Sequence, residues 1–213
     1  MMYDHFKRLM DIVLVSSLLI GFFPISVIVA ILIKLETPNG PVLADTPPRV
    51  GRNGKLFRTL KFRSMIPNAH ILIRTDPIYK EAYEQYKSNS YKLARDPRVT
   101  KVGRFIRKYS LDEVPQFINV LIGDMSLIGP RPYFADELEE QQKKFPLTKD
   151  LVKEALSVRP GITGLWQVSG RSQINFDKRI EMDASYARSK NLWYDLKILF
   201  KTPYVMLTGQ GAS

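Results

Sequence analysis

The sequence predicts a mainly helical α+β protein that carries an apolar helix near its N-terminus. Residues 12–33 contain no charged side chain, which predicts a membrane-inserted helix. Asn53-Gly54 lies between two short segments of strand-like residues, which predicts a β-hairpin. The spacing of apolar and charged residues predicts further helices at 71–93, 136–144, 176–190 and 192–207. The last of these suits either a membrane interface or a buried core.

The apolar segment 12–33 would form a helix ~33 Å long, enough to cross a bilayer. The sequence argues against a cleaved signal peptide, because the segment is too long and Lys34-Leu35-Glu36 follows it, not a small-residue cleavage site. Pro24 lies near the middle and kinks or breaks a helix. Basic residues flank both ends, and positive charge favours the cytoplasmic side. A kinked span and a re-entrant helix therefore both remain open.

The acidic residue at the inner edge of this segment, Asp11, predicts an ion pair with Lys7 or Arg8. Such a pair would lower the cost of placing a carboxylate close to lipid.

The net charge and the absence of cysteine limit the classes of partner and of metal site that the sequence allows. The net charge of +11 suits a polyanionic partner, which is nucleic acid, an anionic lipid or a phosphorylated substrate. The absence of cysteine excludes disulfides and cysteine-based zinc sites, and two histidines are too few for a histidine-rich site. Any metal must therefore have oxygen ligands, which favours Mg²⁺. No Walker A loop is present.

Asp112 and Glu113 are the candidate catalytic pair. A capping-box reading makes Ser110 the N-cap and Glu113 its partner three residues later, but Pro115 then falls beyond the first turn. Alternatively, Asp112 or Glu113 is itself the N-cap. Either way, the arginines in 95–108 favour the ionised carboxylates. An ionised carboxylate can act as a nucleophile while its neighbour binds a metal, although such pairs more often cap helices.

Two groups of basic residues are candidates for phosphate binding, although most of their members suit a solvated surface or lipid head groups. The groups are Arg49, Arg52, Lys55, Arg58, Lys61 and Arg63, followed by Arg95, Arg98, Lys101, Arg104, Arg107 and Lys108. Two turn-rich loops, 123–132 and 159–164, are either simple turns or bring backbone amides and a guanidinium to a phosphate.

A series of motifs runs in order along nearly the whole chain. They are Lys7-Arg8-x-x-Asp11, the proline-interrupted helix, Gly54-Lys55-x-Phe57, Lys61-Phe62-Arg63-Ser64-Met65, Ser110-Leu111-Asp112-Glu113-Val114-Pro115-Gln116, Asn119-Val120-Leu121, Gly123-Asp124-Met125-Ser126, Gly129-Pro130-Arg131-Pro132, Arg159-Pro160-Gly161-Ile162-Thr163-Gly164 and Trp166-Gln167-Val168-x-Gly170-Arg171. In this order they resemble the bacterial sugar transferase family, the monotopic phosphoglycosyl transferases. The stretch from Met65 to Arg107 is similar to the undecaprenyl-phosphate hexose-1-phosphate transferases.

The resemblance implies a re-entrant membrane helix broken at Pro24, spanning residues 1–37. It implies a cytoplasmic, membrane-associated catalytic domain, residues 38–213, at the bacterial inner membrane. The implied donor is a UDP-sugar, the acceptor is polyprenyl phosphate, and the cofactor is Mg²⁺. Membrane lipids are implied partners, nucleic acid is not, and a homo-oligomer is left open.

The same resemblance implies residue roles. Asp112 attacks the sugar-bearing phosphate and expels UMP, and polyprenyl phosphate then attacks the phosphosugar-aspartate. Glu113, with Asp112, helps to bind Mg²⁺. The implied phosphate contacts are Arg107, Arg131, Lys61 and Arg63. The residues that select the sugar are expected within 159–171, and neither the sugar nor the pathway is fixed by the sequence.

The chain departs from the family pattern in two places. Phe23 precedes the proline where many relatives have a serine whose hydroxyl can bond a freed carbonyl. Ser26 or a neighbouring helix is then expected to take that role. Pro47-Pro48 stands where many relatives have a glutamine, so no role of that glutamine transfers to this chain.

Two rival hypotheses remain. A non-enzymatic basic membrane adaptor or nucleic-acid binder explains the charge and the apolar segment, but not Asp112-Glu113 next to Arg107. A transferase that takes a lipid phosphate from an alcohol donor is the second, and the motif order argues against it. UMP release from UDP-sugars and its loss in Asp112→Asn would distinguish all three.

Overall fold

The computed structural model describes residues 2–88, 93, 95–170 and 174–208, and the statements below concern these residues. The α-helices are α1 Met2–Glu36, α2 Ala69–Thr75, α3 Lys80–Ser88, α4 Lys101–Lys108, α5 Gln116–Ile122, α6 Ala135–Lys144, α7 Lys149–Ala155, α8 Phe176–Ser189 and α9 Leu192–Thr208. The strands are β1 Arg49–Val50, β2 Leu56–Phe57, β3 Ser126–Ile128, β4 Tyr133–Phe134 and β5 Gly161–Thr163. The predicted fold class, mainly helical α+β, is confirmed.

The helices predicted from sequence spacing are found with small boundary shifts. Helices α6, α8 and α9 match the predicted segments at 136–144, 176–190 and 192–207. Within the described residues, the predicted helix at 71–93 is two helices, α2 and α3, joined by a 3₁₀ turn at Pro77–Tyr79, and residues 89–92 of that prediction lie outside the described residues. Asp76 begins that turn because its side chain accepts a hydrogen bond from the Ile78 N–H.

Among the described residues, α1 is the one helix that is long and apolar enough to cross a membrane. Many of its large apolar side chains are exposed, as expected for a lipid-facing helix. The helix continues through Pro24, so the proline does not end it. The re-entrant path remains a prediction. Pro24 has no N–H to donate to the Ile20 carbonyl four residues earlier. The Ser26 hydroxyl donates to the Phe22 carbonyl, which is a different group from the one that the proline leaves without its helical donor.

The chain divides into two compact units by its internal contacts. The first contains Met1–Ile20, Pro48–Thr59 and Gln116–Ser213, and the second contains Gly21–Pro47 and Leu60–Pro115. The predicted boundary at residue 37 divides the chain by function, into a membrane helix and a catalytic domain. A division by internal contacts does not test that boundary, which remains a prediction.

The first unit has two small sheets. Strand β1 pairs antiparallel with β2 on one side and with β4 on the other. The predicted hairpin turn is confirmed, with Asn53 and Gly54 at positive φ of 56° and 80°. A core of Val15, Val120, Ile128, Ile198 and Val205, among others, joins α1, α5, β3 and α9.

The two turn-rich loops meet through parallel pairing of β3 with β5. The Gly129 N–H donates to the Thr163 carbonyl, and the Gly161 N–H donates to the Pro130 carbonyl. A Cβ on Gly161 would lie 2.1 Å from the Gly129 nitrogen, so only glycine permits this approach. These amides therefore serve pairing between the loops.

The start of α1 is fixed by contacts that differ from the sequence prediction. The predicted ion pair of Asp11 with Lys7 or Arg8 is wrong. Asp11 instead accepts hydrogen bonds from the Ser126 hydroxyl at 2.7 Å and the Leu127 N–H at 3.2 Å. Lys7 pairs with Asp195 at 2.8 Å. The carboxylate of Asp11 is thus satisfied by the start of β3, which sequence spacing does not reveal.

Helix α9 has two unlike faces. Asp195, Ile198 and Val205 are buried, whereas Trp193 and Phe200 are 67% and 78% exposed. The core role predicted for this helix is confirmed for its buried face. Contact of the exposed aromatic face with a membrane remains a prediction.

In the second unit, the end of α1 is joined to α4. Both carboxylate oxygens of Glu36 accept backbone N–H groups of α4, from Lys101 at 2.7 Å and Val102 at 3.0 Å. This satisfies two of the N–H groups that a helix start leaves without a partner. Arg98 makes a two-point contact with Asp96, so this arginine of the second basic group supports the fold.

Candidate active site

The Asp112-Glu113 pair lies in a short 3₁₀ turn, Leu111–Glu113, that follows α4. Ser110 begins this turn in the left-handed conformation, with φ of 54°, and its side chain caps nothing. Helix α5 begins only at Gln116. Both predicted capping registers are therefore wrong, because Pro115 delays the helix past the two carboxylates. Helix capping no longer explains why the two acids are adjacent.

Lys61 reaches the pair from an extended segment. Its carbonyl accepts the Ala44 N–H at 2.8 Å, and the Phe62 N–H donates to the Asp112 carbonyl at 2.9 Å. These backbone bonds hold Lys61 beside the turn, where Nζ lies 2.6 Å from the Glu113 Oε1. The structure thus brings Lys61 and Glu113 together, and the predicted phosphate contact of Lys61 remains a prediction.

Arg107 is the second cation near Asp112. It lies in the last turn of α4, and its Nε donates to the Ser64 hydroxyl at 2.8 Å. Helix α4 can approach Ser64 because Gly103 has no side chain, and a Cβ there would lie 1.9 Å from the Ser64 carbonyl oxygen. The arginine is exposed, so its guanidinium is accessible to a ligand.

Burial and charge act in opposite directions on Asp112. Burial, with a smaller contribution from the negative charge of Glu113, raises the pKa of the Asp112 carboxyl to about 6. Lys61 and Arg107 lower the pKa but do not cancel the effect of burial. The expected direction of the arginine effect is confirmed for Arg107, but burial outweighs it. At neutral pH the carboxylate is mostly ionised and incompletely stabilised, which suits a nucleophile.

Arg63 lies in the same unit but has a different environment. It is buried, and its Nη2 donates to the carbonyl and hydroxyl oxygens of Thr37. Burial lowers the pKa of Arg63. This arginine holds the residue that follows α1, and its predicted phosphate contact remains a prediction.

Arg131 belongs to the first unit. Its backbone N–H donates to Asp183 at 3.3 Å, and its guanidinium carbon lies 5.5 Å from the ring centroid of Trp166. Arg179 lies 4.7 Å from the same ring. The predicted phosphate contact of Arg131 remains a prediction.

Asp183 was missed by the sequence analysis. It is fully buried, accepts the hydroxyl of Tyr133 at 3.3 Å, and has a pKa raised to about 7 by that burial. The i, i+4 spacing of Arg179 and Asp183 on α8 was the available signal.

Asp112 and Glu113 are the residues that fit Mg²⁺. Within the described ranges, no group of three or more Asp, Glu or His side chains is arranged to hold a metal. Mg²⁺ commonly takes one or two carboxylates and completes its shell with water and substrate phosphates. Two adjacent carboxylates, one of which has a pKa raised chiefly by burial and also by the charge of the other, match that donor set.

Comparison with known proteins agrees with the family resemblance of the ordered sequence motifs. Residues 2–209 match the bacterial sugar transferase family, and the chain belongs to that family. It is 45% identical over 210 residues to the undecaprenyl-phosphate galactose phosphotransferase of Salmonella typhimurium, covering 97% of this chain and 41% of that protein.

Two other relatives differ in length. The chain is 36% identical over 206 residues to the UDP-glucose:undecaprenyl-phosphate glucose-1-phosphate transferase of Escherichia coli, covering 93% of this chain and 39% of that protein. It is 39% identical over 204 residues to the exopolysaccharide production protein ExoY of Rhizobium meliloti, covering 95% and 86%. The chain therefore spans about two-fifths of the Salmonella and Escherichia proteins and most of ExoY.

Proposed function

We propose that the chain is a phosphoglycosyl transferase that moves a sugar 1-phosphate from a UDP-sugar to undecaprenyl or another polyprenyl phosphate. The activities named for two relatives, an undecaprenyl-phosphate galactose phosphotransferase and a UDP-glucose:undecaprenyl-phosphate glucose-1-phosphate transferase, support this acceptor and a UDP-hexose donor. The observation that carries the proposal is the half-buried Asp112, with a raised pKa, beside Lys61 and Arg107. The reaction would be the first membrane step of polysaccharide or glycoconjugate synthesis at the cytoplasmic face of the inner membrane.

In the first step, the Asp112 carboxylate attacks the phosphorus that carries the sugar. A bond forms from the carboxylate oxygen to phosphorus, and the bond from phosphorus to the bridging diphosphate oxygen breaks. UMP leaves with the electron pair. Incomplete stabilisation of the carboxylate by its neighbours would keep it reactive, and Arg107, whose charge acts on Asp112, would contact the phosphate oxygens.

In the second step, an oxygen of polyprenyl phosphate attacks the same phosphorus. The aspartyl–phosphorus bond breaks, the product is polyprenyl diphosphosugar, and Asp112 regains its carboxylate. A covalent intermediate lets a soluble donor and a lipid acceptor use one site in turn. Mg²⁺, held by Asp112 and Glu113, would neutralise phosphate charge. Lys61, paired with Glu113, holds that carboxylate beside Asp112.

The test is UMP release from a panel of UDP-sugars with Mg²⁺, with and without undecaprenyl phosphate. Asp112→Asn should lower the rate by at least about a thousandfold, because it removes the nucleophile. Asp150→Asn, an exposed carboxylate on α7, is the matched control and should retain full activity. The thermal midpoint of each variant in detergent shows whether it is folded.

A second measurement tests the covalent step. With acceptor omitted, a UDP-sugar labelled in the sugar should leave about one label per wild-type molecule and none on Asp112→Asn. If Asp112→Asn releases UMP at the wild-type rate, Asp112 is not the nucleophile. If folded wild-type protein releases UMP from no UDP-sugar, the proposed function fails.

A further inference from the structure

A cleft in the first unit has an excess of positive charge. Its volume is about 410 Å³, its open mouth included. Two acidic residues, Asp4 and Asp11, line it, against five basic ones: Lys7, Arg8, Arg52, Arg159 and Lys190. Most of these residues come from the start of α1, the β1–β2 hairpin and the segment before β5.

Local partners satisfy part of this charge. Lys7 pairs with Asp195 at 2.8 Å, and Lys190 pairs with Asp4 at 2.9 Å. Asp11 is bonded by the start of β3. The lysines of the cleft are thus paired, whereas its two acids act on the arginines through space: Arg52 contributes to lowering the pKa of Asp4, and Asp11 and Asp4 act on Arg159.

Those three arginines form hydrogen bonds only with neutral carbonyl oxygens in the described part of the chain. Arg8 donates to Val120 and Leu121, in the last turn of α5. Arg159 donates through Nε to Gly123 at 2.9 Å, and Arg52 donates through Nε to Ser157 at 3.1 Å. The terminal nitrogens of Arg52 and Arg159 therefore remain available to another acceptor.

Two of these guanidinium groups act on the third. Burial first, and then the charges of Arg8 and Arg52, lower the pKa of Arg159, and the opposing effects of Asp11 and Asp4 do not cancel this lowering. Hydrogen bonds to carbonyl groups at the end of α5 explain why Arg8 and Arg159 lie there, because each arginine uses one edge of its guanidinium group for these bonds. They do not explain why a third arginine, at the tip of a hairpin, joins them, whereas a bound anion would.

We propose that Arg8, Arg52 and Arg159 form a phosphate-binding site that is additional to the Asp112-Glu113 pair. Arginine presents a planar fork of donors that matches phosphate oxygens. Arg8 precedes the apolar segment 12–33 by about one helical turn, a position that corresponds to lipid head groups. The phosphate could be carried by a lipid or be free in solution, and the experiment distinguishes these sources.

The experiment is calorimetric titration of the purified, detergent-solubilised chain with two probes, inorganic phosphate and the short-chain lipid dihexanoyl phosphatidic acid. Arg52→Gln should weaken binding by about tenfold or more, because a charge-assisted contact is lost. Arg159→Lys keeps the charge but removes the fork, and should also weaken binding. The matched control is Lys153→Gln, an exposed charge on α7 that does not line the cleft.

Arg107→Gln separates this site from the proposed active site, because it removes the phosphate contact proposed there: binding that persists in Arg107→Gln and is weakened by Arg52→Gln belongs to the additional site. Binding of the lipid alone identifies a head-group site, and equal binding of inorganic phosphate identifies a free-anion site. The proposal is overturned if Arg52→Gln and Arg159→Lys, with unchanged thermal midpoints, weaken binding no more than Lys153→Gln. It is also overturned if neither probe binds the wild type, a result that leaves the UMP-release test unaffected.

Discussion

Two lysine–carboxylate ion pairs in this protein have similar lengths but different surroundings. Lys7 lies 2.8 Å from Asp195, and Lys61 lies 2.6 Å from Glu113. The Asp195 side chain has no exposure and that of Lys7 has 13%, whereas the Lys61 and Glu113 side chains are 25% and 38% exposed. Distance alone therefore does not distinguish the two pairs.

The hydrogen-bond donors around each carboxylate distinguish the pair that supports the fold from the pair that borders the proposed reaction site. Asp195 also accepts hydrogen bonds from the hydroxyls of Tyr3 at 2.8 Å and Tyr186 at 2.6 Å. Its charge is thus committed to holding α1, α8 and α9 together. The Lys61–Glu113 pair is half-exposed and borders Asp112, whose pKa is raised. A buried carboxylate with several donors supports the fold, whereas an accessible, incompletely stabilised one supports a reaction.

Asp195→Asn gives the largest effect expected from this comparison. It should lower the free energy of unfolding by about 3–5 kcal/mol, because Lys7 is left mostly buried without its counter-charge. Denaturant unfolding of the detergent-solubilised protein measures the change. Asp112→Asn should change stability far less, since its neighbours stabilise the charge incompletely. Equal losses of stability in the two variants would contradict the division into structural and chemical carboxylates.

Asp183 extends the comparison to a buried carboxylate that has hydrogen bonds but a raised pKa. The folded state holds its proton up to about pH 7, whereas an unfolded Asp releases it near pH 3.8. The folded state therefore binds more protons between these values. This group stabilises the protein at low pH, and that contribution falls by up to about 1.4 kcal/mol per unit as pH rises from 4 to 7.

Asp183→Asn should flatten this part of the stability profile, because asparagine carries no charge at any of these pH values. Unfolding free energies of wild type and variant at pH 5, 6 and 7 measure the difference. Tyr133, Arg131 and Arg179 are the charged or titratable groups that act on this carboxyl. A difference between the two proteins that stays constant with pH would contradict the raised pKa.

Local sequence patterns predicted the elements whose cause is local. The uncharged run gave α1, Asn53-Gly54 gave the hairpin, and the spacing of charges gave α6 and α8. The grouping of Asp112 with Lys61 and Arg107 came from the motifs, since no local pattern links residues so far apart. The partners of Asp195 could not be predicted, because Lys7 lies 188 residues earlier and meets it only through tertiary packing. Pro115 and the left-handed conformation of Ser110 together put the Asp112-Glu113 pair in a 3₁₀ turn, where capping rules alone predicted the start of a helix.

The smallest predicted effect on stability concerns Lys61, and it tests the comparison of the two ion pairs most directly. Lys61→Met should lower kcat/KM for UMP release by about tenfold, because Glu113 loses its cation and the negative charge beside Asp112 increases. Stability should change by less than about 1 kcal/mol, as for other partly exposed ion pairs.

Lys61→Arg is the matched variant, because it keeps the charge beside Glu113, and it should retain most of the activity. Steady-state UMP release and denaturant unfolding of the same preparations measure both quantities. A loss of stability in Lys61→Met as large as that in Asp195→Asn, with full activity in the folded fraction, would make this pair structural as well. The accessible surroundings of the Lys61–Glu113 pair argue for the opposite result, since solvent can replace a lost surface contact but cannot restore the charge balance around the half-buried nucleophile Asp112.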